Sequence, residues 1–236
     1  MKTPLVIIGP GRLGCTAQLL LEQRGHSAML IGRGNSIPAA LVTWITVPDR
    51  EIIQVAKSIP RGGVVLHASG AHEYTILRPH APAGSLHPLM SFPGPEKGIP
   101  SGTIPAAIEG DPDAQAAAHL LAEQLGFSPF IVAGDRAAYH AAAVMAGNFA
   151  TTLLVEAGRA LSSCGIEEVD ARRLLAPLAL TSLNNTIEAG SEALTGPIVR
   201  GDEDVIASHE NSLHEIDPNL ANLYRAMTDA TRKLKT

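Results

Sequence analysis

Val6-Ile7-Ile8-Gly9-Pro10-Gly11-Arg12-Leu13-Gly14 joins an apolar run to a G-x-G-x-x-G turn and then to a helical pattern. An apolar run this short, bounded by glycine, reads as a strand buried on both faces of a parallel sheet. Gly9 permits a tight turn, Gly11 lets the backbone approach a pyrophosphate, and Gly14 lets the following helix pack close to the strand. The free N–H groups and the positive end of that helix then face the anion. The stretch predicts the opening unit of a dinucleotide-binding domain. A glycine pattern by itself also fits a plain strand–turn–helix connection, so the rest of the chain has to decide.

Outward from this unit, short apolar runs alternate with helical segments up to residue 134. Strands are expected near Ser27–Ile31, Leu41–Val47, Val64–Ala68, Gly84–His87, Ile104–Glu109 and Phe130–Ala133. Helices are expected over Arg12–Arg24, after Asp49 as a capping residue, and over Pro112–Leu125. The connection between the second and third strands is short, so its helix is reduced or missing. From Asp135 onward helical spacing takes over, in Ala137–Cys164, Glu168–Glu188, Asp202–Ile216 and Pro218–Lys235. The expected fold class is α/β. A doubly wound, mostly parallel Rossmann sheet over residues 1–134 binds the nucleotide, and an all-helical domain over 135–236 shapes the substrate site and dimerises.

Composition narrows the partners. Net charge is −5, with lysine and arginine scattered, and only 3% of residues are aromatic, which argues against nucleic acid. Two cysteines, Cys15 and Cys164, build no disulfide framework, and Cys15 reads as a small packing residue. No signal-like leader stands out, and no uninterrupted apolar run reaches membrane-spanning length. A soluble, cytoplasmic protein with no membrane partner is expected. Nine histidines are present, yet no H-E-x-x-H or paired-cysteine motif accompanies them, and His209 and His214 share a helix face poorly. No metal site is expected.

In a Rossmann site, a carboxylate after the second strand receives the ribose 2′-hydroxyl of NAD, whereas arginine suits the NADP 2′-phosphate. Here that position reads Ile31-Gly32-Arg33-Gly34-Asn35-Ser36, with no carboxylate. Arg33 offers a forked cation, and Arg12 falls near the same phosphates. NADP(H) is the expected cofactor, against a reading of Arg33 as a solvated turn residue.

The chain resembles the two-domain Rossmann-like oxidoreductases whose helical C-terminal domain has no assigned function. These are relatives of ketopantoate reductase, pyrroline-5-carboxylate reductase and 6-phosphogluconate dehydrogenase. Besides Gly9–Gly14, the likeness is carried by Thr46-Val47-Pro48-Asp49, His67-Ala68-Ser69-Gly70-Ala71 and Gly84-Ser85-Leu86-His87-Pro88-Leu89. Residues 139–149 (YHAAAVMAGNF) and 193–202 (ALTGPIVRGD) extend it through the second half. The resemblance implies an NADP(H)-dependent reductase or dehydrogenase of a small metabolite, a homodimer with its active site between the domains.

Hydride transfer to a carbonyl or imine carbon needs a held cofactor, a proton source and donors for the substrate's charged groups. Val47 and Pro48 follow a strand at the carboxyl edge and are expected on the nucleotide side, as is Leu13 in the glycine turn. Ser69 either contacts the nicotinamide ribose or carboxamide or is an ordinary turn serine. His87 ends a strand and is either an acid or a brace for the proline-rich loop Pro88–Pro100; His67, inside a strand, reads as a core histidine. The relatives resembled here carry a catalytic lysine four residues before an asparagine on the interdomain helix. Matching that asparagine to Asn148 puts Val144 at the lysine position, which cannot move a proton. His140 lies one turn earlier, so His140 and Asn148 are the candidates there: an acid or an interdomain hydrogen bond for the first, a cofactor or substrate anchor or a packing amide for the second. Thr195 and Arg200 are candidate substrate donors, and Asp202 a cap for the next helix. The expected reaction is reduction of a 2-oxo acid or imine, or its reverse. The alternative is a non-catalytic NADP(H)-binding sensor or regulator.

Overall fold

A computed structural model of the chain describes residues 3–234. It divides into two compact units, Met1–Met145 and Ala146–Thr236. The division falls inside the long helix that the sequence places at the start of the second half.

The first unit is a seven-stranded sheet: β1 (Thr3–Ile8), β2 (Met29–Ile31), β3 (Ala40–Ile45), β4 (Val64–His67), β5 (Ala83–Pro88), β6 (Ile104–Gly110) and β7 (Phe127–Ile131). Their order is β2-β1-β3-β4-β5-β6-β7. Neighbours are parallel except β5 and β6, so this is the doubly wound, mostly parallel sheet expected. Two apolar layers hold it. On one face α1 (Arg12–Gln23) and α3 (Pro112–Leu125) bury Ala17, Leu21, Ala118 and Leu125 against Ile7, Trp44 and Leu86. On the other, α2 (Ile52–Ala56) packs Ile52 and Ala56 on Val6, Ile8, Ile31 and Ile45. Trp44 is fully buried, and its indole N–H donates to the Leu86 carbonyl at 3.2 Å, which satisfies the one polar atom this large side chain carries inward.

Local details depart from expectation where local chemistry overrules pattern. Asp49 opens a 3-10 turn, Asp49–Glu51, whose N-cap is Pro48, and caps no helix with its side chain. No helix joins β2 to β3. Gly126, at φ +74°, ends α3 in the left-handed conformation and returns the chain directly to the sheet, so β7 starts earlier than its apolar peak at Phe130 suggests.

One rung of the sheet register changes character along its length. It runs Ile31, Ile8, Ile45, His67, Ser85, Glu109 across six strands. The first three belong to the α2-side core, and the last three bring polar groups into the same layer.

The helical run 136–162 begins with α4 (Arg136–Val144), passes a π-helical turn at Met145–Phe149 and continues as α5 (Ala150–Ser162). Among the described residues this run alone, 27 residues long, is by length and composition apolar enough to cross a membrane. The sequence reading missed that because the run is rich in alanine rather than in large apolar residues. Its first residue, Arg136, is anchored in the first unit through the Ser69 carbonyl.

In the second unit α5 packs on α6 (Glu168–Ala189), and α8 (Glu203–Ile216) on α9 (Pro218–Lys233), with the short α7 (Pro197–Arg200) beside them. No strand occurs there among the described residues. Lys235, the expected end of the last helix, lies outside the described residues. Asp217 starts α9 by accepting from the Asn219 N–H at 2.8 Å, and Arg159 on α5 pairs with the same carboxylate at 3.2 Å. The unit buries few apolar side chains, among them Ala171, Ile206, Leu220 and Ala221, while Leu174, Leu178, Leu180, Leu183 and Ile187 of α6 are exposed.

Candidate active site

The strand order reverses at β1, between β2 on one side and β3 on the other, and a cleft of about 630 Å³ opens at the carboxyl ends of these strands. That is the switch point at which open α/β sheets bind ligands. Gly9, Gly11, Arg33, Val47, Pro48 and Glu51 are among its lining residues. Gly9 sits at φ +116°, and a Cβ on Gly14 would lie 2.0 Å from the Gly9 carbonyl oxygen, so the turn and the close helix both require glycine. A Cβ on Gly11 would meet nothing within 4 Å, and α1 has no side-chain cap. The first N–H groups of α1 are therefore left for an anion. Thr46 braces the turn from β3: its hydroxyl donates to the carbonyls of Gly9, at 2.9 Å, and Ile8, at 3.1 Å.

The other expected nucleotide residues separate. Arg12 is exposed at the start of α1 and makes no ion pair among the described residues. Leu13 packs on the core and Gly14 is buried beneath the turn, so neither lines the cleft. Arg33 does, but it is held by Glu51 through Oε1 and Oε2, both at 3.1 Å. The carboxylate absent after β2 thus reaches the cleft from the turn after β3. Ser69 lies outside the cleft: its hydroxyl accepts from the N–H groups of Ala71 and His72 at 3.2 and 3.1 Å, as an ordinary turn serine does.

A second polar cluster lies further along the same edge, past β4 and β5. Asp135 caps α4 by accepting from the Ala137 N–H, and Arg136, only 5% exposed, then turns inward. Its guanidinium donates to the Ser69 carbonyl at 2.8 Å, lies 3.6 Å from Glu109 Oε2, and stacks 5.1 Å from the Tyr139 ring centre. Burial with incomplete pairing lowers the Arg136 pKa and raises that of Glu109. Arg136 Nε and Nη1, Glu109 Oε2 and Ser85 Oγ are buried without hydrogen-bond partners among the described residues.

His87 meets this group from β5. Its Nδ1 is 2.6 Å from the Tyr139 hydroxyl, and its ring lies edge-on to that of His140, 6.2 Å between centroids. Both imidazoles occupy the room a side chain on Gly70 would need: a Cβ there would be 2.6 Å from His140 Cδ2 and 2.8 Å from His87 Nε2. Burial, then the Arg136 and His140 charges, lower the His87 pKa to about 4, with Asp49 opposing. His67 is fully buried and satisfied: its Nδ1 accepts from the Ser69 N–H at 3.2 Å, and its Nε2 faces the Glu73 carbonyl at 3.3 Å. Burial again lowers its pKa to about 4, as suits a neutral core histidine.

In the second unit Asn148 lies in the π-helical turn, exposed, its carbonyl accepting from the Thr152 hydroxyl at 3.1 Å. That turn interrupts the 3.6-residue helical register between His140 and Asn148. Thr195 is exposed. Arg200 does clamp a carboxylate, its own Asp202, at 2.9 and 2.8 Å, and Asp202 makes no side-chain cap. Among the described residues no group of three or more histidine, cysteine or acidic side chains is placed to hold a metal.

Sequence reading missed Glu51, Glu109, Arg136 and Tyr139. The signal for Arg136 was its place directly after the capping Asp135, where the first helical turn can face the sheet edge. Glu109 became visible only through the register that sets it opposite Ser85.

Structures of the same fold include a proposed NADP oxidoreductase of Bacteroides fragilis, 20% identical over 98% of both chains with a TM-score of 0.81. A reductive aminase of Aspergillus terreus, in complex with NADPH and ethyl levulinate, is 14% identical over 99% of this chain and 94% of its own, with a TM-score of 0.73. A 1-pyrroline-5-carboxylate reductase of Streptococcus pyogenes is 14% identical over 98% of this chain and 99% of its own, with a TM-score of 0.64. No curated protein sequence matches the chain. The model of the domain of unknown function DUF2520 matches residues 104–231, more than half of the sequence, and the chain belongs to that family.

Proposed function

We propose that the protein is an NADP(H)-dependent oxidoreductase acting on a small 2-oxo acid or imine. The observation that carries this is the switch-point cleft, where Gly9, Gly11 and Gly14 leave room for a pyrophosphate against α1 and Arg33 stands at the ribose end. The neighbours of like fold, a reductive aminase with NADPH among them, support the same reading. When bound, the reduced cofactor supplies a hydride to the substrate carbon. Arg33 and Arg12 balance the phosphates, Val47 and Pro48 form the apolar wall, and His87 or His140 delivers the proton. Thr195 and Arg200 engage the substrate's polar end, with Arg200 exchanging Asp202 for a substrate carboxylate. Asn148 anchors cofactor or substrate. The exposed leucines of α6 support a homodimer formed through the helical unit, and a cytoplasmic enzyme without nucleic-acid or membrane partners completes the reading.

Calorimetric titration with NADPH and NADH tests it, followed by NADPH oxidation across a panel of 2-oxo acids and cyclic imines. Arg33→Ala is expected to weaken NADPH about tenfold while sparing NADH, the size of one exposed charge-assisted contact. Binding of neither nucleotide would overturn the proposal. Tight binding without turnover would favour a sensor, the reading that Val144 at the relatives' lysine position keeps open.

A further inference from the structure

We propose that Tyr139 and His87 form a proton relay: the Tyr139 hydroxyl feeds His87 Nδ1, and His87 Nε2–H delivers a proton to the substrate's carbonyl oxygen or imine nitrogen. The relay rests on the oxidoreductase reading above and names the origin of its proton. It lies wholly within the first unit, at the carboxyl ends of β4 and β5. The ribose end of the cleft is at β2, so the rest of a dinucleotide laid across the carboxyl edge runs toward these strands.

Acid–base chemistry sets the direction of the bond. The Tyr139 hydroxyl and His87 Nδ1 lie 2.6 Å apart, and of the two groups the phenol is the more acidic donor and the imidazole nitrogen the better acceptor. Nδ1 therefore accepts, and the single proton of the neutral ring sits on Nε2. That nitrogen makes no hydrogen bond among the described residues and lies in the room left by Gly70.

The charged and titratable groups around the pair agree. His87 faces Arg136 and His140 from α4 and Asp49 from the turn after β3, and its lowered pKa keeps it neutral near pH 7. A neutral imidazole has no spare proton, so one must follow from elsewhere. Tyr139 holds one: burial raises its pKa, while the Arg136 guanidinium over its ring works the other way and stabilises the phenolate once it forms. With NADPH bound as the reductant, its hydride would pass to the carbon of the C=O or C=N bond as that π bond breaks. The heteroatom takes the Nε2 proton, Nδ1 takes the phenol proton, and His87 ends neutral as its other tautomer. After product leaves, the Nδ1 proton returns to the Tyr139 phenolate as Nε2 takes a proton from water, which restores the starting tautomer.

The test uses the full chain and begins without cofactor. Long-range nitrogen–proton NMR of His87 is expected to show the Nε2–H tautomer, and Tyr139→Phe, which keeps the ring beneath Arg136, is expected to abolish that preference. The Nδ1–H tautomer in the wild-type chain would overturn the relay, whatever becomes of the variant. With NADPH and the imine panel, Tyr139→Phe should lower kcat about 100-fold with NADPH affinity unchanged. The wild-type proton inventory in mixed light and heavy water should curve, reporting two protons in flight, and become linear in the variant. Wild-type kcat in Tyr139→Phe would also overturn the relay. Failure of NADPH to bind would instead overturn the oxidoreductase reading, which calorimetry registers separately from the tautomer.

Discussion

The two units solve the same problem of burying apolar surface in opposite ways. The first closes two apolar layers over a sheet, with Trp44, Ile7, Leu21 and Leu66 entirely out of water. The second stacks helices in pairs and leaves much of its longest one in solvent, with Leu178 at 66% and Ile187 at 78% exposure. Polar chemistry follows the same division. Buried polar groups of the first unit include His67, Ser85 and Arg136, and burial lowers the pKa of His67 and of Arg136. The candidates of the second unit, Asn148, Thr195 and Arg200, are at the surface, where water screens charged contacts. A finished interior can tune chemistry, and an unfinished exterior is suited to recognition.

Four experiments break or sharpen this contrast. The largest effect is expected from Trp44→Ala, which empties the largest fully buried side chain of the first unit and removes its bond to Leu86. Urea unfolding should show a loss of about 3–5 kcal/mol, and a loss below about 1 kcal/mol would mean the interior is less complete than its burial indicates. Acid comes next. His67 has its pKa lowered to about 4 when folded, so between about pH 6.5 and pH 4 the unfolded chain binds a proton that the folded chain does not. Stability from this group is fully present above pH 6.5 and falls by up to about 1.4 kcal/mol per pH unit as pH drops through that window. His67→Asn should flatten the slope of urea midpoint against pH.

Smaller effects belong to the exposed groups. Glu51→Gln frees Arg33 from an exposed ion pair and removes a negative charge beside the ribose end, so NADPH should bind a few-fold more tightly in calorimetry, a change of under about 1 kcal/mol. Weaker binding would show that Glu51 itself holds the ligand. Leu178→Ala should leave the unfolding free energy at low protein concentration within about 0.5 kcal/mol of wild type. Sedimentation should show the variant dissociating at higher concentration than the parent, if α6 pairs two copies.

What was legible in the sequence followed from backbone rules. The glycine turn, most of the strands and the start of α3 are written in residues whose conformational needs are local: Gly9 for its positive φ and Pro112 for a helix start. The cleft could be read because the glycine turn and Arg33 that line it lie in short local stretches of sequence. The second cluster could not, because it is assembled by register. His67, Ser85 and Glu109 become neighbours only when β4, β5 and β6 align, and Arg136 reaches them only because α4 starts beside that edge. Arg33 illustrates the same limit: its position was readable, but its pairing with Glu51 depends on how the turn after β3 folds back.

The Thr46 hydroxyl, shared between the carbonyls of Ile8 and Gly9, also bears on how quickly a ligand can be received. A loop tied down by its neighbouring strand has little disorder left to lose when a ligand arrives, so association can proceed at the pace of encounter rather than of rearrangement. The glycine turn is a fixture of the fold, assembled once during folding and held the same way thereafter.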